Sequence, residues 1–194
     1  MLDVIDYGGG NTGSLTRALG RLEAPFRRAG TPETVAEGRP LLLPGVGSFG
    51  AVMEGLKARG LVEPIREAIL AGRPFLGICV GLQILFGSSE ESPSVPGLDV
   101  FQGRVVRFRA GKIPQIGWNR VEPRGEVGFP GGFAYFVNSF VAAPTDKEIV
   151  LYESDYFGPF CAAVQKGNVT AFQFHPEKSG GFGHGLLRRW IDAL

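Results

Sequence analysis

At 194 residues, with 44% hydrophobic and 20% charged side chains, the chain has the balance of an ordinary globule and is expected to form one domain over residues 1–194. A formal net charge of +1 argues against a long nucleic-acid surface or a face for anionic membrane. No basic-apolar leader and no run long enough to cross a bilayer is visible, so a cytoplasmic location is expected. The two cysteines, Cys79 and Cys161, lack the C-x-x-C or Cys/His spacing of a metal site, and they read as a reduced pair rather than a disulfide.

Leu2–Asp6 is an apolar strand candidate that runs into Gly8-Gly9-Gly10-Asn11-Thr12-Gly13. This run satisfies G-x-G-x-x-G between a strand and a helix, the setting of a dinucleotide site. The acidic ribose ligand expected after the next strand is missing, however. Phe26 is followed by Arg27 and Arg28, and Glu33 sits in turn-like sequence after Thr31-Pro32. A tight turn is the better reading. Residues 12–22 have helical spacing, with Leu15, Leu19 and Leu22 on one face.

Pro40–Pro44 reads as a buried strand, and Pro44-Gly45-Val46-Gly47-Ser48-Phe49-Gly50 follows it. A plain β-to-α turn needs one or two glycines; this loop has more. It can turn backbone N–H groups toward a ligand, and an amide near Val46 or Gly47 would suit an oxyanion. Two helices are expected over 49–59 and 61–71, with Pro64 tolerated in the first turn of the second.

Phe75–Ile78 is a third short strand, and Val80–Phe86 a helix directly after it. Between them lies Gly77-Ile78-Cys79-Val80-Gly81. A nucleophile on a sharp strand-to-helix turn needs small flanking residues, which Gly77 and Gly81 supply. The helix N-terminus would favour the thiolate, and its free N–H groups suit an oxyanion. Taken alone, Cys79 is equally well a small buried hydrophobe. Strand alternating with helix in this half indicates βαβ units and a parallel sheet.

Ser88–Gly97 is polar and Pro-rich, a surface loop. Phe101–Arg109, Gly117–Val121, Ala134–Val141, Ile149–Glu153, Phe160–Lys166 and Val169–Phe174 then read as strands of a largely antiparallel extension. The last strand leads into His175-Pro176-Glu177. A thiol nucleophile needs a base, and the base needs a group to hold its ring. Residues two apart on extended backbone point to one side, and Pro176 favours that conformation at His175. The only other histidine, His184, lies in a Gly-rich helix start. An amphipathic helix over 182–193 ends the chain.

With these pieces in place, the chain resembles the class I, triad-type glutamine amidotransferases. The carrying motifs are Gly77-Ile78-Cys79-Val80-Gly81-Leu82-Gln83 and Phe172-Gln173-Phe174-His175-Pro176-Glu177. The 44–50 loop is similar to the branch that serves imidazole glycerol phosphate synthase. So are Pro114-Gln115-Ile116-Gly117-Trp118-Asn119 and Tyr135-Phe136-Val137-Asn138-Ser139-Phe140. The resemblance implies a flavodoxin-like three-layer α/β fold: a mostly parallel sheet with helices on both faces and a strand-rich extension. It implies Cys79, His175 and Glu177 as catalytic residues. Val46, Gly47 and Val80 would serve the oxyanion, with Gln83, Asn138 and Ser139 near the substrate, L-glutamine. No metal or organic cofactor is implied. Ammonia would pass to a (β/α)8-barrel cyclase subunit in a heterodimer, giving imidazole glycerol phosphate and an aminoimidazole carboxamide ribotide by-product in histidine synthesis. Asn11, Pro114, Gly117, Trp118 and Asn119 would lie at that contact. Three positions depart from the common pattern. Gln115 and Asn138 stand where histidine is frequent, and Phe140 where tyrosine is.

Two rivals remain at this stage. A cysteine amidase or peptidase would act without a synthase partner. A non-catalytic binding module would keep the scaffold without the chemistry.

Overall fold

The computed structural model describes residues 1–10, 12–125 and 128–194. Nine strands form one sheet in the order β2-β1-β3-β4-β11-β10-β9-β6-β7. The first five run parallel: β2 (Phe26–Ala29), β1 (Leu2–Ile5), β3 (Leu41–Gly45), β4 (Phe75–Cys79) and β11 (Val169–Phe172). Four of them are buried along their whole length, as strands covered on both faces must be, which explains their unbroken apolar runs. β2 is the edge strand and carries Arg27 and Arg28; this polarity kept it from standing out in the sequence. Arg27 reaches the fully buried Asp3 of β1 at 2.6 Å.

Antiparallel pairing continues the sheet through β10 (Pro159–Lys166), β9 (Val150–Asp155), β6 (Gln115–Pro123) and β7 (Gly132–Asn138). β5 (Gly103–Arg107) and β8 (Phe140–Pro144) form a separate ribbon. The single strand expected over Ala134–Val141 is therefore two. The chain leaves the large sheet at Ser139, whose carbonyl accepts from Phe108 N–H at 3.0 Å, and then pairs with β5.

The helices are α1 (Gly13–Arg21), α2 (Pro32–Ala36), α3 (Phe49–Ala58), α4 (Val62–Leu70), α5 (Val80–Gln83) and α6 (Gly180–Asp192). The turn-like sequence around Glu33 is α2, closed by reciprocal hydrogen bonds between Thr31 and Thr34. The helix expected over Val80–Phe86 stops at Gln83. Leu85 and Phe86 donate to carbonyls three residues back, and Phe86 then bridges to Phe101. The glycine cluster is packed against the chain itself. A Cβ at Gly10 would press on the Val46 side chain, and one at Gly9 on the Tyr7 ring. That contact is a sufficient physical reason for the glycines.

Candidate active site

Cys79 closes β4 with φ 55° and ψ −110°, a region that residues with a Cβ seldom occupy. Crowding forces the turn. A Cβ at Gly81 would run into the Leu43 carbonyl, one at Gly45 into the Gly81 amide, and one at Gly77 into the Gly81 carbonyl. The three small residues let α5 fold tightly over the ends of β3 and β4. Because α5 is a single turn, any dipole effect on Cys79 is confined to its few free N–H groups, Val80 among them.

His175 comes three positions after β11, which runs parallel to β4 with Phe172 opposite Ile78. Its backbone is tied to β7. His175 N–H donates to the Tyr135 carbonyl at 2.9 Å, and Ser179 Oγ accepts from Tyr135 N–H while donating to the His175 carbonyl. The imidazole Nδ1 lies 2.8 Å from Glu177 Oε1, and the ring also interacts with the Cys79 side chain. Burial opposes charge on the ring. The interactions with Cys79 and Glu177 and the negative charge of both outweigh it, and the His175 pKa is pushed up from 6.5 to about 9. His175 is extended, as Pro176 favours, at φ −98° and ψ 94°, but the route from it to Glu177 differs from the expected extended strand. β11 ends at Phe172, and Pro176–Lys178 is a 3₁₀ turn that brings the carboxylate to the ring's Nδ1.

A cleft of about 220 Å³ opens beside Cys79. Gly47, Val80, Gln83, Asn138 and Ser139 all line it, as do Pro114, Val137 and Phe140. Glu91, from the Ser88–Gly97 loop, lines it too, and no motif in the sequence marks it. Its carboxylate accepts from Phe49 N–H at 2.7 Å, so the loop caps α3 and brings one acidic group to the cleft. Asn138 Oδ1 and Gln115 Oε1 are buried without a protein partner among the described residues. The two departures are cross-strand neighbours in the β6–β7 ladder, so they form one altered spot rather than two.

Val46 is placed differently from the expectation. Its N–H donates to the Tyr7 hydroxyl at 3.0 Å, and the same hydroxyl donates to the Val46 carbonyl at 3.1 Å. Of the amides expected at an oxyanion, that of Val46 is thus engaged elsewhere. Gly47, next to it, has φ 112°, a conformation that favours glycine. Asn11 lies outside the described residues. Pro114, after a cis peptide bond, lines the cleft. Gly117, Trp118 and Asn119 lie on β6, where Asn119 donates to the Asp155 carbonyl and Trp118 packs edge-on against Tyr135 with ring centres 5.9 Å apart. Cys161 and Cys79 are both free thiols, and burial pushes Cys161 up to about 12.

Residues 3–193 match the family profile described as glutamine amidotransferase class-I, and the chain belongs to that family. Within it, the chain is 43% identical to the imidazole glycerol phosphate synthase subunit HisH of Geobacillus thermodenitrificans (strain NG80-2), over 100% of this chain and 96% of that one. It is likewise 43% identical to the subunit of the same name from Geobacillus kaustophilus (strain HTA426), over 98% and 96%. A solved structure described as a glutamine amidotransferase superposes with a TM-score of 0.80 at 21% identity, covering 100% of this chain and 99% of the other, a likeness of fold.

Proposed function

We infer that this chain is the glutaminase subunit of imidazole glycerol phosphate synthase, hydrolysing L-glutamine to glutamate and ammonia. The observation that carries the chemistry is Cys79 on the wall of a small cleft, with the His175 ring interacting with its side chain and Glu177 hydrogen-bonded to that ring. Cys79 would attack the side-chain amide carbon as thiolate. His175 would give its proton to the departing ammonia, leaving a thioester, and then take a proton from the water that releases glutamate. Glu177 holds the ring and favours its charged form. The Glu91 carboxylate suits the α-ammonium of the substrate, with Asn138, Ser139 and Gln83 around the remainder.

Val80 N–H supplies one oxyanion donor in this reading, and the Val46–Gly47 segment the other. Because Tyr7 holds the Val46 amide, that amide is not free to serve as the second donor at rest. Losing one such donor typically costs about 3–4 kcal/mol of barrier, so the isolated chain should be nearly idle. A partner that turns this peptide would switch the chain on. The docking surface for a (β/α)8-barrel cyclase would be the outer face of β6 and β7. There Ile116, Trp118, Phe133 and Val137 are exposed together, an apolar patch at the sheet edge that continues to the cleft through Val137. Tyr135, on that face, is the residue whose backbone holds His175.

The test is glutamate release by the purified chain, alone and with the cyclase and its nucleotide. A large rise on adding the partner is expected, and equal rates in both would defeat the latched reading. Cys79→Ala should abolish glutamine hydrolysis while partner binding survives; activity retained in that variant would remove Cys79 from the mechanism.

A further inference from the structure

We propose that Gln173 is a second hydrogen-bond donor to the Cys79 sulfur, held in that orientation by a buried amide relay that begins at the wall of the substrate cleft. The proposal rests on the reading of Cys79 as nucleophile. Its origin is register. β11 and β4 run parallel with Phe172 opposite Ile78, so the next residue of one strand, Gln173, stands beside the next residue of the other, Cys79. Gln173 is fully buried, and its side-chain Nε2 lies 3.8 Å from Cys79 Sγ.

Side-chain amides can point either way, and here their neighbours decide. The Phe140 carbonyl can only accept, so Gln83, 3.0 Å away, must present its NH2 group there. The same nitrogen lies 3.1 Å from the Gln173 side-chain oxygen, which uses the second of its hydrogens. That fixes Gln173 with its oxygen toward Gln83 and its NH2 toward the sulfur. Turning Gln173 alone would set two NH2 groups against each other and an oxygen against the sulfur. Turning both would set the Gln83 oxygen against the Phe140 carbonyl. Only the observed arrangement satisfies every group.

The chemistry follows from the sign of charge. An N–H aimed at sulfur stabilises a thiolate more than a thiol or a thioester. It therefore acts while Cys79 is free and again when the sulfur departs at thioester hydrolysis. Phe140 and Gln83 both line the cleft, so the relay couples the substrate seat to the nucleophile. Among the described residues Gln83 thus has a second task besides lining that seat.

The experiment is the pH profile of Cys79 alkylation by iodoacetamide, read by mass spectrometry, in the full chain and in Gln173→Met and Gln173→Glu. The expected result is a midpoint about one pH unit higher and a rate near neutral pH about tenfold lower in both variants, with native circular dichroism. A folded Gln173→Met with the unaltered midpoint overturns the proposal. If instead Cys79 of the unaltered chain reacts no faster than the buried Cys161, the nucleophile reading fails first. Should neither variant fold, NMR of the unaltered chain decides. The Gln173 side-chain NH2 resonances must shift as Cys79 ionises and stay fixed in Cys79→Ser; resonances indifferent to Cys79 overturn the relay.

Discussion

Tyr7→Phe isolates the latch on the Val46 peptide, because it removes one hydroxyl and keeps the ring that the glycine cluster packs against. In the resting structure that hydroxyl accepts from Val46 N–H at 3.0 Å and donates to the Val46 carbonyl at 3.1 Å. Burial pushes the Tyr7 phenol up, which keeps it a neutral group able to do both. Each bond contributes about 1 kcal/mol net, and Val46 is 38% exposed, so water recovers part of the loss in the variant. A shift of about 1–2 kcal/mol away from the latched state corresponds to a factor of about 5–30 in its population ratio. The rate of glutamate release by the isolated chain should rise by that factor. The rate with partner and nucleotide should hardly change, so the stimulation ratio falls in proportion. The assay is coupled glutamate detection at saturating glutamine, on protein checked by circular dichroism. A folded Tyr7→Phe whose unstimulated rate is unchanged or lower refutes the latch.

Other outcomes follow from the same geometry. Asp3→Ala removes the buried partner of Arg27, which keeps its pair with Glu37, and should lower the urea midpoint, with the site chemistry intact in the folded fraction. His175 has a folded pKa near 9 against 6.5, so its stabilising charge is fully present below about 6.5 and is lost as pH rises through about 9. The stability difference between the native chain and His175→Gln should therefore shrink over that window and level off above it; a difference that grows with pH contradicts the assignment. Gly81→Ala should abolish folding or activity, because its Cβ meets the Leu43 carbonyl, and a fully active variant would disprove the crowding at the turn. Trp118→Ala should weaken binding of the cyclase subunit by about tenfold or more while leaving the unstimulated rate of the isolated chain alone, as isothermal titration would show.

The parts legible in the sequence were those set by local sterics. Gly77 and Gly81 around Cys79 announce a tight strand-to-helix turn because any larger residue collides there, and the structure has that turn. The parallel half was legible from strands buried on both faces. Elements whose signal is overridden by neighbours were not. β2 hides behind Arg27 and Arg28, which suit an edge, and α2 behind a Thr31-Pro32 start that also reads as a turn. The segment 84–86 has helical residues, but its bonds to the 97–101 stretch end α5 early. Around the site, Glu91, Tyr7 and Gln173 acquire their places only from pairing distant in sequence. Glu91 meets Phe49, Tyr7 meets Val46 and Gln173 meets Cys79; no local pattern marks the first two, and the motif that contains Gln173 does not name its partner. The expected extended path from His175 to Glu177 placed the right groups together by the wrong backbone, since a proline at the start of a 3₁₀ turn is as natural as one in a strand.

Whether a substrate-like electrophile finds the sulfur through its imidazole is best read by trapping with a reactive glutamine analogue, followed by peptide mass spectrometry. One adduct, on Cys79, is expected. Excess glutamine should block it, His175→Ala should slow it strongly, and Cys161 should stay unmodified. Labelling that spreads to Cys161, or that ignores both glutamine and the His175 substitution, would contradict a cysteine nucleophile activated by His175.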